Sequence, residues 1–321
     1  MPSPLVFIHQ GFSDYLPFTL RQARAADPEN DIYLLGNAAN ARFPFLHHVD
    51  AAQFAGATRA FAQVYRHHST NRYDFELVCF QRWFLLRAFM RSAGLETAFV
   101  LDSDVMLYAS ARVLDARHID GQSLGLCLPE MQTAYRWAAF PHVSYWTQAT
   151  IDRFCDFLMD VYTRPEAFAP FQEKWQYHLR NGLPGGLCDM TALYRFALEH
   201  GLDRTANFLK VSNDTTVDLN LNTPENEIPD AYEMAGSIKR LDWSASPYPR
   251  GHHRRLGRPV DFLALHCQGS AKLHIPVFYR GPRFRGQSRR HFMVTVHYRL
   301  RPLATRLAHP LRRRQAYRRG T

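Results

Sequence analysis

Thr97-Ala98-Phe99-Val100-Leu101-Asp102-Ser103-Asp104 is the stretch that decides the fold. An apolar, β-favouring run enters a pair of carboxylates separated by one residue. In extended chain, side chains two apart point the same way, so Asp102 and Asp104 are expected to face one side together. At the carboxyl end of a parallel strand that side is the crevice where α/β proteins bind ligands. Two hard oxygen ligands there suit Mn2+ or Mg2+, ions that also hold substrate phosphates. The same triplet occurs in solvated turns, and the preceding strand is what favours the ligand reading.

Working outward, Phe75 to Met90 is apolar nearly all round, as in a buried helix, with Gly94 placed to end it. Leu5-Val6-Phe7-Ile8 reads as a buried first strand and Phe18 to Ala26 as a helix. Asp31 to Leu35 is a second strand, closed by Gly36-Asn37. Strand, helix and strand within 37 residues predict a βαβ unit and a parallel sheet. Further strands are expected at Leu124–Leu128 and Val260–Leu265, with helices at Ile151–Tyr162 and Cys188–His200. Residues 165–186, rich in Pro, Gly and aromatics, read as loop. The fold class is therefore α/β, a mostly parallel twisted sheet with helices on both faces.

The last strand delivers His266-Cys267-Gln268-Gly269-Ser270-Ala271-Lys272. A neutral imidazole beside carboxylates is a good third ligand for a divalent cation. Gly269 lets backbone approach a phosphate, and Lys272 supplies a compact cation for diphosphate charge. A histidine at a strand end can equally be structural. Cys267 has no partner at zinc-ligand spacing.

Composition narrows the classes. The net charge is +10, yet the 13 arginines from Arg280 onward leave −3 for residues 1–279. A basic tail on a near-neutral body suits an anionic surface or a solvated end rather than nucleic-acid binding, which asks for a basic body too. Five cysteines without C-x-x-C spacing do not make a disulfide framework and fit a reducing compartment. No signal-peptide pattern and no membrane span are read from the sequence, which favours a cytoplasmic location.

The D-x-D after a helix and an apolar strand, with H-x-x-G-x-x-K far downstream, resembles the GT-A glycosyltransferases, in particular the glycogenin and lipopolysaccharide-galactosyltransferase family. That resemblance implies a GT-A catalytic domain over residues 1–278, followed by an arginine-rich tail over 279–321. It implies that Asp102, Asp104 and His266 hold the metal and that Gly269 and Lys272 meet the diphosphate. Arg82, twenty residues before Asp102, matches a basic family position. Asp189, in Gly185-Gly186-Leu187-Cys188-Asp189, matches an acceptor-side acid, though a helix-capping role is the other reading. Tyr15 stands where the family sets a residue against the nucleotide base, and ordinary packing is its alternative.

The sequence departs from the family at Cys267, where phenylalanine is usual, at Leu273-His274 in place of Pro-Trp, and at Met190 after Asp189. The expected reaction is transfer from a nucleotide-diphosphate sugar, a UDP-sugar by resemblance, to a glycan or lipid-linked glycan acceptor in bacterial surface glycan synthesis. Retention of configuration is implied; an inverting enzyme with Asp189 as base, or a non-catalytic nucleotide-sugar binder, are the alternatives. Arginines interleaved with Phe284, Phe292 and Tyr298 predict contact with the inner face of an anionic membrane.

Overall fold

The computed structural model describes residues 2–244 and 246–300. In chain order the first half runs β1 (Leu5–Ile8), α1 (Leu16–Ala26), β2 (Ile32–Gly36), β3 (His47–Asp50), α2 (Ala55–Val64), α3 (Tyr73–Ala93), β4 (Thr97–Leu101), β5 (Val105–Leu107), α4 (Ala111–Leu114), β6 (Leu124–Cys127) and β7 (Phe140–Thr147). Then come α5 (Gln148–Thr163), α6 (Pro165–Arg180), α7 (Asp189–His200), β8 (Ala206–Asn207), β9 (Thr215–Val217), β10 (Met234–Ala235), β11 (Ile238–Lys239), β12 (Arg250–His253), β13 (Arg258–His266) and α8 (Ile275–Phe278).

This is a mixed α/β protein around one large sheet of order β3-β2-β1-β4-β7-β6-β8. Its strands pair in parallel except β7, which runs antiparallel to β4 and β6. Alternation along the strands sorts the core into two layers. Leu5, Phe7, Leu34 and Phe99 join the cluster that includes α1 and the small sheet. Val6, Leu35, Ala98 and Val100 join the cluster built from α3, α5 and α7. The small sheet, β12-β13-β5 with β9 beside β13, therefore shares with α1 the work that helices alone do on the opposite face. That sheet is the element the sequence reading lacked.

The long helix α3 begins with Asp74 and Glu76 in its first turn and ends on Gly94 at φ 64, a left-handed cap that glycine adopts without strain. Residues 165–186 are a correction: most of the segment is α6 rather than loop. Pro165 sits at the first helical position, where its missing N–H costs nothing, and Pro170 is accommodated inside. Phe168 and Phe171, three apart, are buried together, and burial of that stripe outweighs the one ladder bond lost at Pro170.

The start of the basic segment belongs to this fold. Phe284 and Tyr279 pack edge-on against Phe18 of α1, Arg280 N–H donates to Gln22 at 2.8 Å, and Val294 is buried within a helix over 287–300. The arginines from Arg301 onward lie outside the described residues. Among those residues no helix is long and apolar enough to cross a membrane.

Lys174 of α6 is 3% exposed and donates to Arg136 O at 3.0 Å and Thr191 Oγ1 at 2.8 Å. Burial lowers its ammonium to about 8. The folded protein thus sheds this proton at pH values where the unfolded chain still binds it, so stability should rise from pH 8 towards pH 10.5. Urea unfolding of wild type and Lys174→Met at pH 7.5 and 9.5 checks this. The wild type should gain on the order of 1 to 2 kcal/mol relative to the variant at the higher pH.

Candidate active site

The site forms where the chain crosses from the large sheet to the small one. β4 ends at Leu101, Asp102-Ser103-Asp104 make a turn closed by Val105 N–H on Asp102 O at 3.1 Å, and β5 begins at once. The expectation of two carboxylates side by side in extended chain is corrected here: a turn brings them together instead. β13 pairs antiparallel with β5 so that His266 lies opposite Val105, and Cys267 N–H donates to Asp104 O at 3.1 Å. One ligand atom from each of Asp102, Asp104 and His266 falls within 4.8 Å of the others. His266 Nε2 is 3.7 Å from Asp104 Oδ1.

The tautomer of His266 follows from its partner. Nδ1 lies 2.8 Å from Leu219 O, which can only accept, so Nδ1 carries a proton and Nε2 is the ring nitrogen turned towards the carboxylates. The imidazole stacks on His142, ring centres 4.1 Å apart and planes 8° from parallel. His142 is held uncharged, its imidazole far below the usual range because it is buried. Behind His266, Asp218 accepts the backbone N–H of His266 at 3.1 Å. The fully buried ammonium of Lys239 pairs with Asp218 and donates to Asn220 O and Glu225 O.

Each aspartate has one oxygen engaged by a cation. Arg82 Nη1 donates to Asp102 Oδ1 at 2.8 Å, and Lys272 pairs with Asp104 Oδ2. Burial and the nearby Asp104 push the Asp102 carboxyl up despite Arg82. Asp104, although half-buried, is held below the usual range by His266 and Lys272. The oxygens left over, with His266 Nε2, make a hard O/N donor set that fits Mn2+ or Mg2+. Cys267 is buried and stands outside the group of side chains whose ligand atoms converge there.

Arg82 links this trio to Asp189. Its Nη2 and Nε donate to Asp189 Oδ2 at 2.6 and 3.1 Å, and Trp83 Nε1 adds a third bond at 3.2 Å. Asp189 opens α7 but makes no capping bond; the cap position is Cys188. Its carboxylate is spent on Arg82 and Trp83.

Arg82, Asp102, Asp104, Asp189, His266 and Lys272 line one cleft of about 480 Å3. A second hollow of about 340 Å3 shares Ile8 and Arg82 with it and lies over the carboxyl ends of β1, β2 and β3, beside Gln10, Asn37 and Asp50.

Two sequence-derived residues sit elsewhere. Tyr15 is 6% exposed and packs in the core, with its hydroxyl 3.2 Å from Ser103 Oγ; it supports the aspartate turn from below rather than lining the cleft. Gly269 is absent from the lining as well, and its φ of 58 serves the turn that carries Lys272 into place. Apart from Cys188 and the start of α7, the chain between β7 and β13 gives the lining little. Residues 165–186 contribute Gly185 and Gly186, and the described part of 212–256 contributes nothing. The outer wall comes instead from Asn71 to Cys79 and from Phe140 to His142.

Sequence reading missed Glu76, His142 and Asp218. Glu76 looks like a surface residue on a helix, and the other two serve the site through His266, which is far from both in sequence.

No family model and no curated protein matches the chain. Among solved structures, mouse xyloside xylosyltransferase 1 in its apo form is similar at 12% identity and TM-score 0.46, over 64% of this chain and 85% of that one. An active-site mutant of LgtC is similar at 17% identity and TM-score 0.37, over 60% and 70%. The galactosyltransferase LgtC with donor and acceptor sugar analogues gives 14% identity and TM-score 0.33 over the same shares. Likenesses this distant carry no weight for what this chain does, which rests on its own residues. Fold and site together define an α/β protein with a candidate divalent-cation centre at the carboxyl end of a central strand.

Lys239→Met would leave the Asp218 carboxylate buried without its counter-charge. Calorimetry should show a loss of about 3 to 5 kcal/mol, the usual cost of breaking a buried pair from one side.

Proposed function

We propose that the protein is a metal-dependent glycosyltransferase of the GT-A type, moving a sugar from a UDP-sugar to a hydroxyl of a glycan or lipid-linked glycan in bacterial surface glycan synthesis. The observation that carries this is the convergence of Asp102, Asp104 and His266 with Lys272, Arg82 and Asp189 in one cleft. A cation bound by the first three would neutralise charge on a departing diphosphate. Lys272 and Arg82 add fixed positive charge at the same place, and Arg82 holds Asp189 in position. The hollow over β1–β3 offers room for the nucleoside, next to the diphosphate position.

Asp189 supports retention of configuration. Three donors converge on Oδ2 and hold the carboxylate in one orientation, as a fixed charge beside a cationic sugar centre rather than a base free to turn to a hydroxyl.

A thermal-shift panel with UDP, GDP, CMP and their sugar conjugates, each with Mn2+, Mg2+ or EDTA, tests the reading on wild type and Asp104→Ala. One nucleotide family should raise the melting temperature, by an amount lost in EDTA and in the variant. No shift with any nucleotide overturns it.

The chain is further proposed to work on the inner face of the cytoplasmic membrane through residues 279–321. No acidic residue follows Asp261, and Phe292, Met293 and Leu300 are exposed among the arginines. Because residues up to 300 pack on the domain, the truncation to compare is one after Leu300. It should float with anionic vesicles at least threefold less than the full chain, and equal flotation removes the tail from the proposal.

A further inference from the structure

The cleft holds a second acid that the metal, diphosphate and Asp189 leave unused. Glu76 is 1% exposed yet lines the cleft beside Asp189 and Cys79. Its Oε1 accepts from Asn71 Nδ2 at 2.7 Å and Ser69 Oγ at 3.1 Å. Among the described residues Oε2 accepts no hydrogen bond and no cation pairs with the carboxylate. A buried carboxylate without a counter-charge is costly, and its acid is accordingly pushed up by burial, with Asp189 adding to the effect. A ligand offering O–H donors would supply what Oε2 lacks.

The surroundings say where such a ligand comes from. The turn that carries Ser69 and Asn71 is strapped across to the loop before α7. Thr70 N–H donates to Gly185 O at 2.9 Å and Leu187 N–H to His68 O at 2.7 Å. Gly186, at φ 144, has no room for a side chain, since a Cβ would lie 2.4 Å from His68 O. This fixes backbone, not side chains, as the cleft wall beside Glu76. Asn71 and Phe75 also line a shallow groove that leads outward past Val78. Phe75 and Val78 are 60% and 54% exposed there. A cleft wall holding a free carboxylate oxygen, beside an exposed aromatic side chain that leads onto the surface, suits a chain of hydroxylated rings, each with polar edges and a flatter apolar face.

Resting on the transferase reading, we propose that Glu76 is the acceptor-binding carboxylate. Its Oε2 receives a hydroxyl of the acceptor's terminal sugar, and Phe75 carries the next unit along the groove. The acceptor is then an oligosaccharide or glycan chain rather than a lone small alcohol.

Glu76→Gln separates this from a structural role. The amide keeps a carbonyl oxygen for Ser69 and Asn71 and replaces Oε2 by a donor. Phe75→Ala removes an exposed ring. Wild type and both variants, as full chains with Mn2+ and UDP, are applied to an array of mono- to tetrasaccharides. In parallel, the thermal shift by Mn2+ and UDP and the release of UDP from UDP-glucose, UDP-galactose and UDP-xylose in water are measured. Both variants should keep the melting temperature, the UDP shift and the hydrolysis rate of wild type. Glu76→Gln should lose binding to the array's glycans by about tenfold or more, as expected when a charged hydrogen-bond acceptor is replaced. Phe75→Ala should weaken di- to tetrasaccharides more than monosaccharides. Glycan binding unchanged in Glu76→Gln, or no glycan bound by wild type, overturns the proposal while an intact UDP shift leaves the transferase reading standing. Loss of hydrolysis in Glu76→Gln with glycan binding intact assigns the residue to the donor and also overturns it.

Discussion

The antiparallel pairing of β5 with β13 is the constraint on which the site depends. It sets His266 opposite Val105, one residue beyond Asp104, and ties Cys267 N–H to Asp104 O. A one-residue slip would turn His266 to the other face of the small sheet and empty the third ligand position. The register is fixed because β13 is buried, from Phe262 to His266 with partners on both sides, β5 and β9.

Around this pairing, charge is arranged in alternation. Asp102 and Asp104 each lean on one cation, Arg82 and Lys272, and Arg82 also holds Asp189. The cleft therefore keeps several ionised groups close together with little solvent, where a fixed array interacts strongly with incoming charge and needs no rearrangement. The same economy holds one layer back. Lys239, Asp218 and Leu219 orient His266 from the side away from the cleft, and neutral His142 braces its ring without adding charge. Glu76 is the exception, a buried carboxylate with an open oxygen, and that exception is what gives the outer half of the cleft its chemical character.

Much of this was legible in the chain itself. The apolar run into Asp102-Ser103-Asp104, the all-round apolar α3 ending at Gly94, and the strand-helix-strand opening determined an α/β fold and the place of its site. These features are local: side-chain period, caps and turn residues act within a few positions. Segment α6 escaped because Pro and aromatics suggest loop by composition, whereas burial of Phe168 and Phe171 decides for helix. What only the tertiary structure decided is which groups meet. The small sheet, the meeting of the aspartates with His266, the packing of Tyr15 against Ser103 and the strap from residues 68–70 to 185–187 that walls the cleft beside Glu76 all follow from contacts between distant segments. No local pattern encodes these, because the energy that fixes them is gained when surfaces far apart in sequence are buried together.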